Sequence, residues 1–217
     1  MFEGVGRRLD QSTGTLVNIG AHSLNGRERK VLFRNNGDGT FTDVAFVDGT
    51  DRQEDGRGLS IFDYDNDGRL DLLLRNYKQP TQLLRNVGPR GHWIDFKLVG
   101  TVSNRDAIGA KIRLRTDAGW QTRVVSAGSA YLSNQSLIQH FGLGENDRAR
   151  ELSIWWPSGA TTQITDLPGG HRFTITENSL SPISCADPAC PDWADGGGGT
   201  ATVARGWAGV ANQGETR

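Results

Sequence analysis

Cysteine is scarce and methionine almost absent: the 217-residue chain contains 2 Cys and 1 Met. Cys185 and Cys190 sit near the C-terminus with a spacing that is neither C-x-x-C nor C-x-x-C-H. Thioredoxin-like redox chemistry and c-type haem attachment are therefore unsupported. A short disulfide loop is the expected use of the pair, and it implies an oxidising compartment. An excess of one charge is also missing: 24 Lys+Arg stand against 25 Asp+Glu, a formal net charge of -1. That balance argues against a general nucleic-acid binder, which would show a basic excess or stripe. Long apolar runs are absent too, since the densest, 70–74 and 152–156, fall far short of the roughly 18–20 residues a bilayer span needs. No membrane span is expected. Met1-Phe2-Glu3-Gly4 lacks a basic segment followed by an apolar one, so no secretory signal is visible, leaving a cytoplasmic chain or a fragment or processed form.

What the sequence has is glycine, 29 residues of it, with only 35% hydrophobic residues. Such a turn-rich composition suits many short strands better than a helical bundle. Alternation bears this out along much of the chain. In Trp93-Ile94-Asp95-Phe96-Lys97-Leu98, Ile94, Phe96 and Leu98 share one face while Asp95 and Lys97 take the other; Lys111-Ile112-Arg113-Leu114-Arg115 repeats the pattern. Turn signals punctuate these runs at Asn36-Gly37-Asp38-Gly39, Asp67-Gly68, Asp117-Ala118-Gly119, Pro157-Ser158-Gly159 and Pro168-Gly169-Gly170. A weak repeat links Val31-Leu32-Phe33-Arg34-Asn35 to Gln82-Leu83-Leu84-Arg85-Asn86, 51 positions later, and reads as repeated hairpins or blades. Three segments follow: 1–90 with the repeat, 91–177 as a separate β-domain, and 178–217 as a Pro/Gly-rich extended tail with little core of its own. Such a tail is either pinned against a partner, with Trp193 and Trp207 as anchors, or folded back on its own domain.

The most specific motif is Asp63-Tyr64-Asp65-Asn66-Asp67-Gly68-Arg69-Leu70-Asp71. Carboxylates at positions 1, 3, 5 and 9 around a Gly at 6 let a tightly turning chain aim several hard oxygens at one point, which selects Ca²⁺. Asp63, Asp65, Asp67 and Asp71 are the expected side-chain ligands, and the Arg69 carbonyl the backbone one. It is not an EF-hand, because position 12 is Leu74 rather than Glu and the flanks read as strands. A metal-free polar turn is the competing reading; mutual repulsion of so many carboxylates weighs against it.

The stretch from Leu32 through Phe33-Arg34-Asn35-Asn36-Gly37-Asp38-Gly39-Thr40-Phe41, with Gly56-Arg57-Gly58 and the Asp-rich loop, resembles FG-GAP/VCBS repeats. Ser103-Asn104-Arg105-Asp106-Ala107-Ile108-Gly109-Ala110, His140-Phe141-Gly142-Leu143-Gly144 and Trp155-Trp156-Pro157-Ser158-Gly159 resemble the ASPIC/UnbV domain that follows such repeats in cartilage acidic protein-like chains. The resemblance implies an all-β protein with partial β-propeller-type blades, a calcium loop, a β-sandwich-like domain and the extended tail. One blade motif is intact and one degenerate; around Asp10-Gln11-Ser12-Thr13-Gly14 the alternating carboxylates are missing, so no chelation is expected there. Incomplete blades expose strand edges that invite another chain.

Other candidates are weaker. Arg105 and Asp106 read as a loop brace rather than a ligand site, and His140 as strand-end packing rather than a catalytic base. His22, His92 and His171 show no metal spacing, and Ser126, Ser129 and Ser133 lie in no G-x-S-x-G elbow. Asp38 reads as a hairpin-turn residue before a calcium ligand. One of Trp155 and Trp156 must face the core and the other outward, where it would serve recognition. The expected function is a non-enzymatic, extracytoplasmic, calcium-binding scaffold or protein-interaction subunit, in its fullest form an accessory of a membrane-associated assembly engaged through the tail. The alternative is a calcium-dependent carbohydrate-binding module. A third class, an enzyme or biosynthetic accessory, has no reaction specified by any residue.

Overall fold

Alternation and turn chemistry set where the strands fall in the computed structural model, which describes residues 7–9, 16–18, 28–131, 133–179, 183–185 and 202–204. Every described element is a strand, and no described helix is long and apolar enough to cross a membrane. In chain order they are β1 (Arg7–Leu9), β2 (Leu16–Asn18), β3 (Phe33–Asn35), β4 (Phe41–Asp43), β5 (Gly56–Phe62), β6 (Asp71–Asn76), β7 (Gln82–Leu84) and β8 (His92–Val99). They continue with β9 (Lys111–Thr116), β10 (Gly119–Val124), β11 (Gln139–Gly144), β12 (Arg148–Trp155), β13 (Thr161–Pro168), β14 (Arg172–Thr176), β15 (Ile183–Cys185) and β16 (Thr202–Ala204). None of the sheets closes into a barrel.

The chain divides into two compact units, Met1–Leu59 with Leu72–Leu84, and Ser60–Asp71 with Arg85–Arg217. The division runs through the β5–β6 hairpin, so the hairpin tip with its acidic loop is part of the second unit.

In the first unit, β3 and β4 pair antiparallel around the Asn36–Gly39 turn, which Asn36 N–H closes onto the Thr40 carbonyl at 3.0 Å. Asp38 accepts hydrogen bonds from the Thr40 hydroxyl (2.6 Å) and N–H (2.9 Å), and these bonds hold its carboxyl below the usual range. This commits Asp38 to the turn. Phe33 and Phe41 lie on one face of the pair and remain 60% and 62% exposed, while Phe46 and Val47 in the following turn exceed 80%. A two-stranded ribbon has no second layer with which to cover them.

The described residues of the second unit form two layers. One sheet runs β10-β9-β12-β13-β16 and the other β11-β8-β14-β15, with β14 parallel to β8 and the other described pairs antiparallel. Inward residues meet in register: Leu152 opposes Leu114 and Ile164, Ile154 opposes Ile112, and Phe96 opposes Phe173. All seven are at most 3% exposed. Phe96 meets Phe141 edge-on at 5.8 Å and stacks on Phe173 at 6.2 Å between ring centroids. On β13 the alternation slips, because Asp166 takes a positive φ of 61° and both Ile164 and Leu167 face the core. The expected tail contributes β15 to one sheet and β16 to the other, so its described parts fold back on this unit. Cys185 is disulfide-bonded. Cys190, Trp193 and Trp207 lie outside the described residues, as does the Asp10–Gly14 segment.

Beyond the end of β14, Glu177 is only 1% exposed, yet it carries a carboxylate. Thr101, Val102 and Ser103 each donate a backbone N–H to Oε2 at 2.7–2.9 Å, and the Ser103 and Ser158 hydroxyls donate to Oε1. Burial pushes the Glu177 carboxyl up, but the Ser158 and Ser103 hydrogen bonds and the Thr101 N–H outweigh it and bring it from 4.5 to about 2. A carboxyl depressed by folding stabilises fully above its unfolded value and loses that contribution as pH falls toward the folded value. Glu177→Gln should therefore cost roughly 2–3 kcal/mol at neutral pH. In urea melts at a series of pH values, the gap from wild type should close between about pH 4.5 and 2.

Candidate metal loop and the face behind it

Between β5 and β6 the chain must reverse within a few residues that carry three aspartates, with a fourth, Asp71, opening β6. Asn66 and Gly68 do this with positive φ values of 57° and 86°. Asp63 then accepts the N–H of Asp67 (3.1 Å) on Oδ1 and that of Gly68 (2.7 Å) on Oδ2, so the first carboxylate closes the turn. Asp71, 1% exposed, accepts Tyr64 N–H (3.0 Å) and Asn86 N–H (2.7 Å), which ties the loop to the chain leading into β8.

Of the five ligands expected from the sequence, the structure brings Asp63, Asp65 and Asp71 together: one carboxylate oxygen from each lies within 4.8 Å of the others. Asp65 Oδ2 meets Arg85 at 2.7 Å, but its Oδ1 is buried without any hydrogen-bond partner. A carboxylate oxygen shielded from water and left unpaired is costly, unless a cation occupies the space beside it. Three hard oxygen donors with one open lone-pair site fit a hard divalent cation and do not fit a soft one. Asp67 and Arg69 are bound to each other, through the Arg69 guanidinium on Asp67 Oδ2 and the Arg69 N–H on Oδ1 at 3.0 Å; Arg85 stands 3.6 Å from the same carboxylate.

The loop is seated on the outer face of the β11-β8-β14-β15 sheet. A methyl group added at Gly68 would fall 2.0 Å from Trp93 Nε1 and 2.1 Å from its Cδ1. Trp93 is itself 9% exposed and stacked on His140 at 6.1 Å, so it has little room to yield. Gly68→Ala should destabilise the protein by about 2–4 kcal/mol, combining left-handed backbone strain with overpacking. Chemical denaturation measures this; a loss below about 0.5 kcal/mol would mean that the loop does not rest on Trp93.

On the same face of the sheet lies a group that the alternation pattern missed. Asp95 belongs to the polar face of β8, but it is 1% exposed. Its Oδ2 accepts Arg172 Nε (3.1 Å) and Nη2 (2.9 Å), and its Oδ1 lies 2.8 Å from His140 Nδ1. The three residues come from β8, β14 and β11, and no spacing in the chain links them. Their only trace in the sequence is Asp95 itself, a carboxylate between buried apolar neighbours. Elsewhere the expectations resolve simply. Asn104 braces its own loop through bonds to Ile108 O and N at 2.9 and 2.8 Å, while Arg105 and Asp106 are exposed. Trp156 is buried with Nε1 donating to Thr162 Oγ1 at 2.9 Å, and Trp155 faces outward, 39% exposed.

Comparison with known proteins places both halves of this arrangement. The FG-GAP-like repeat family matches residues 13–74, which include the acidic loop, and the ASPIC and UnbV family matches residues 100–182. The chain thus joins an FG-GAP-like repeat stretch to an ASPIC/UnbV stretch. Cartilage acidic protein 1 of Homo sapiens is 33% identical over an alignment covering 68% of this chain and 23% of that protein. The Xenopus tropicalis protein of the same name is 30% identical, covering 58% of this chain and 24% of its own length. The chain spans under a quarter of the length of these curated relatives.

Proposed function

We propose that this chain is a calcium-stabilised, non-enzymatic protein-interaction subunit that works outside the cytoplasm. The observation that carries the reading is the convergence of Asp63, Asp65 and Asp71 around the unpaired, buried Asp65 Oδ1. Ca²⁺ is held there by these three carboxylates, with Asp67 and the Arg69 carbonyl completing the shell once Asp67 leaves its arginines. The ion's role is to fix the β5–β6 hairpin tip against the second unit's sheet. A partly buried loop site of this kind fits a dissociation constant of roughly 10⁻⁴ to 10⁻³ M, which external calcium fills and a resting cytosol does not. The disulfide at Cys185 and the relation to cartilage acidic protein 1 support the same compartment.

The interaction role is supported by the uncovered apolar surface of the first unit, where Phe33, Phe41, Phe46 and Val47 stand open to solvent. Exposed apolar patches of this kind mark contact sites for other chains. The tail, with Trp193 and Trp207, is a second region for a partner, including one in a membrane-associated assembly. Protein is favoured over carbohydrate because two of the exposed tryptophans already have cations over their rings. Arg113 lies 4.3 Å from the Trp120 centroid and Lys111 5.9 Å from that of Trp155.

With a dissociation constant near 10⁻⁴ M, 1 mM Ca²⁺ should stabilise the wild type by about 1.4 kcal/mol. For a chain of this size that raises the melting temperature by roughly 3–5 °C. Asp65→Ala should abolish this gain while changing the melting temperature little in chelator. Equal losses with and without calcium would refute the assignment.

A further inference from the structure

Beside the acidic loop, the second unit contains a cleft of about 400 Å³ that shares only Asp63 with the expected metal ligands. Asp63 and Phe62 of the hairpin tip line one part of it, Arg123 and Ser126 another, and Asp95, His140 and Arg172 the sheet side. Asp95 is almost completely buried and holds Arg172 and His140 side by side through its two oxygens. A guanidinium fixed in this way is a preorganised donor. Arg172 has Nε and Nη2 on Asp95, and among the described residues its Nη1 donates to nothing.

Arg123 is less committed still. It is exposed, sits 5.2 Å over the Phe141 ring and gives one hydrogen bond, from Nη1 to the carbonyl of Thr122 at 3.1 Å. Among the described residues no carboxylate pairs with it. Two arginines thus open unused N–H groups onto one cleft whose built-in anions are Asp63 and Asp95.

We propose that this cleft binds a carboxylate group through the free donors of Arg123 and Arg172. A carboxylate's two coplanar oxygens match the planar guanidinium fork of each arginine, and Asp95, which already pairs Arg172, weighs against the higher charge of a dianion such as phosphate. Serine and glutamine side chains around the rim, among them Ser126 and Gln139, suit the neutral remainder of such a ligand. The proposal does not rest on the metal reading, since neither arginine used here touches the acidic cluster. The carboxylate comes either from an acidic side chain of a protein or from a sugar acid.

Isothermal titration of the full chain in calcium-containing buffer separates these sources, using Ac-Gly-Glu-Gly-NH₂ and D-galacturonate as probes. Ac-Gly-Gln-Gly-NH₂ and D-galactose are their neutral counterparts. Saturable binding of a carboxylate probe, at least about tenfold tighter than its neutral counterpart and about tenfold weaker in Arg123→Gln, is the expected result. The probe that binds names the source. Arg172→Gln should weaken binding as well, but it also unpairs buried Asp95, so the exposed Arg123→Gln carries the test. Absence of binding by both carboxylates, equal binding of the neutral probes, or undiminished binding by a folded Arg123→Gln protein would overturn the proposal.

Discussion

A carboxylate taken out of water must find positive charge or hydrogen-bond donors, because leaving it unpaired costs several kcal/mol. The outer face of the four-stranded sheet gathers negative charge and satisfies it unevenly. Asp95 has Arg172 and His140, and Asp67 has Arg69 and Arg85. Asp63 and Asp71 have backbone N–H groups, while one oxygen of Asp65 has nothing. A divalent cation would meet this last imbalance with three oxygens at once, which is the reading proposed for the loop.

The same need for satisfaction shapes the far end of the sheet, where the answer is different. Glu177 is as deeply buried as Asp71, yet three backbone N–H groups and two hydroxyls saturate it. No cation is required there, and the carboxylate becomes a clasp between the loop after β8 and the turn after β12. Comparison of the two sites shows why counting acidic residues alone does not locate a metal: what distinguishes the Asp65 site is the orphaned oxygen.

Much of this was legible in the chain. The strand class, the inward faces of β8 and β9, the Asn36–Gly39 hairpin, the division of labour between Trp155 and Trp156 and the acidic loop all follow from period-two alternation and turn chemistry. These are local signals. The burial of Asp95 was not legible, because alternation reports which face a residue takes and not what later covers that face. The Asp95, His140 and Arg172 group is hidden for a related reason: parallel pairing of β14 with β8 brings together residues 77 positions apart. The arginine partners of Asp67 are also invisible from the metal-loop pattern, which is indifferent to charges supplied by neighbouring residues.

Counting the ions bound is the most direct test of the account. Equilibrium dialysis of the intact chain against calcium should give one ion per chain with a dissociation constant of roughly 10⁻⁴ to 10⁻³ M, and none in a protein lacking the Asp65 carboxylate. Zero bound calcium in the wild type at millimolar concentration, or undiminished binding without Asp65, would contradict it.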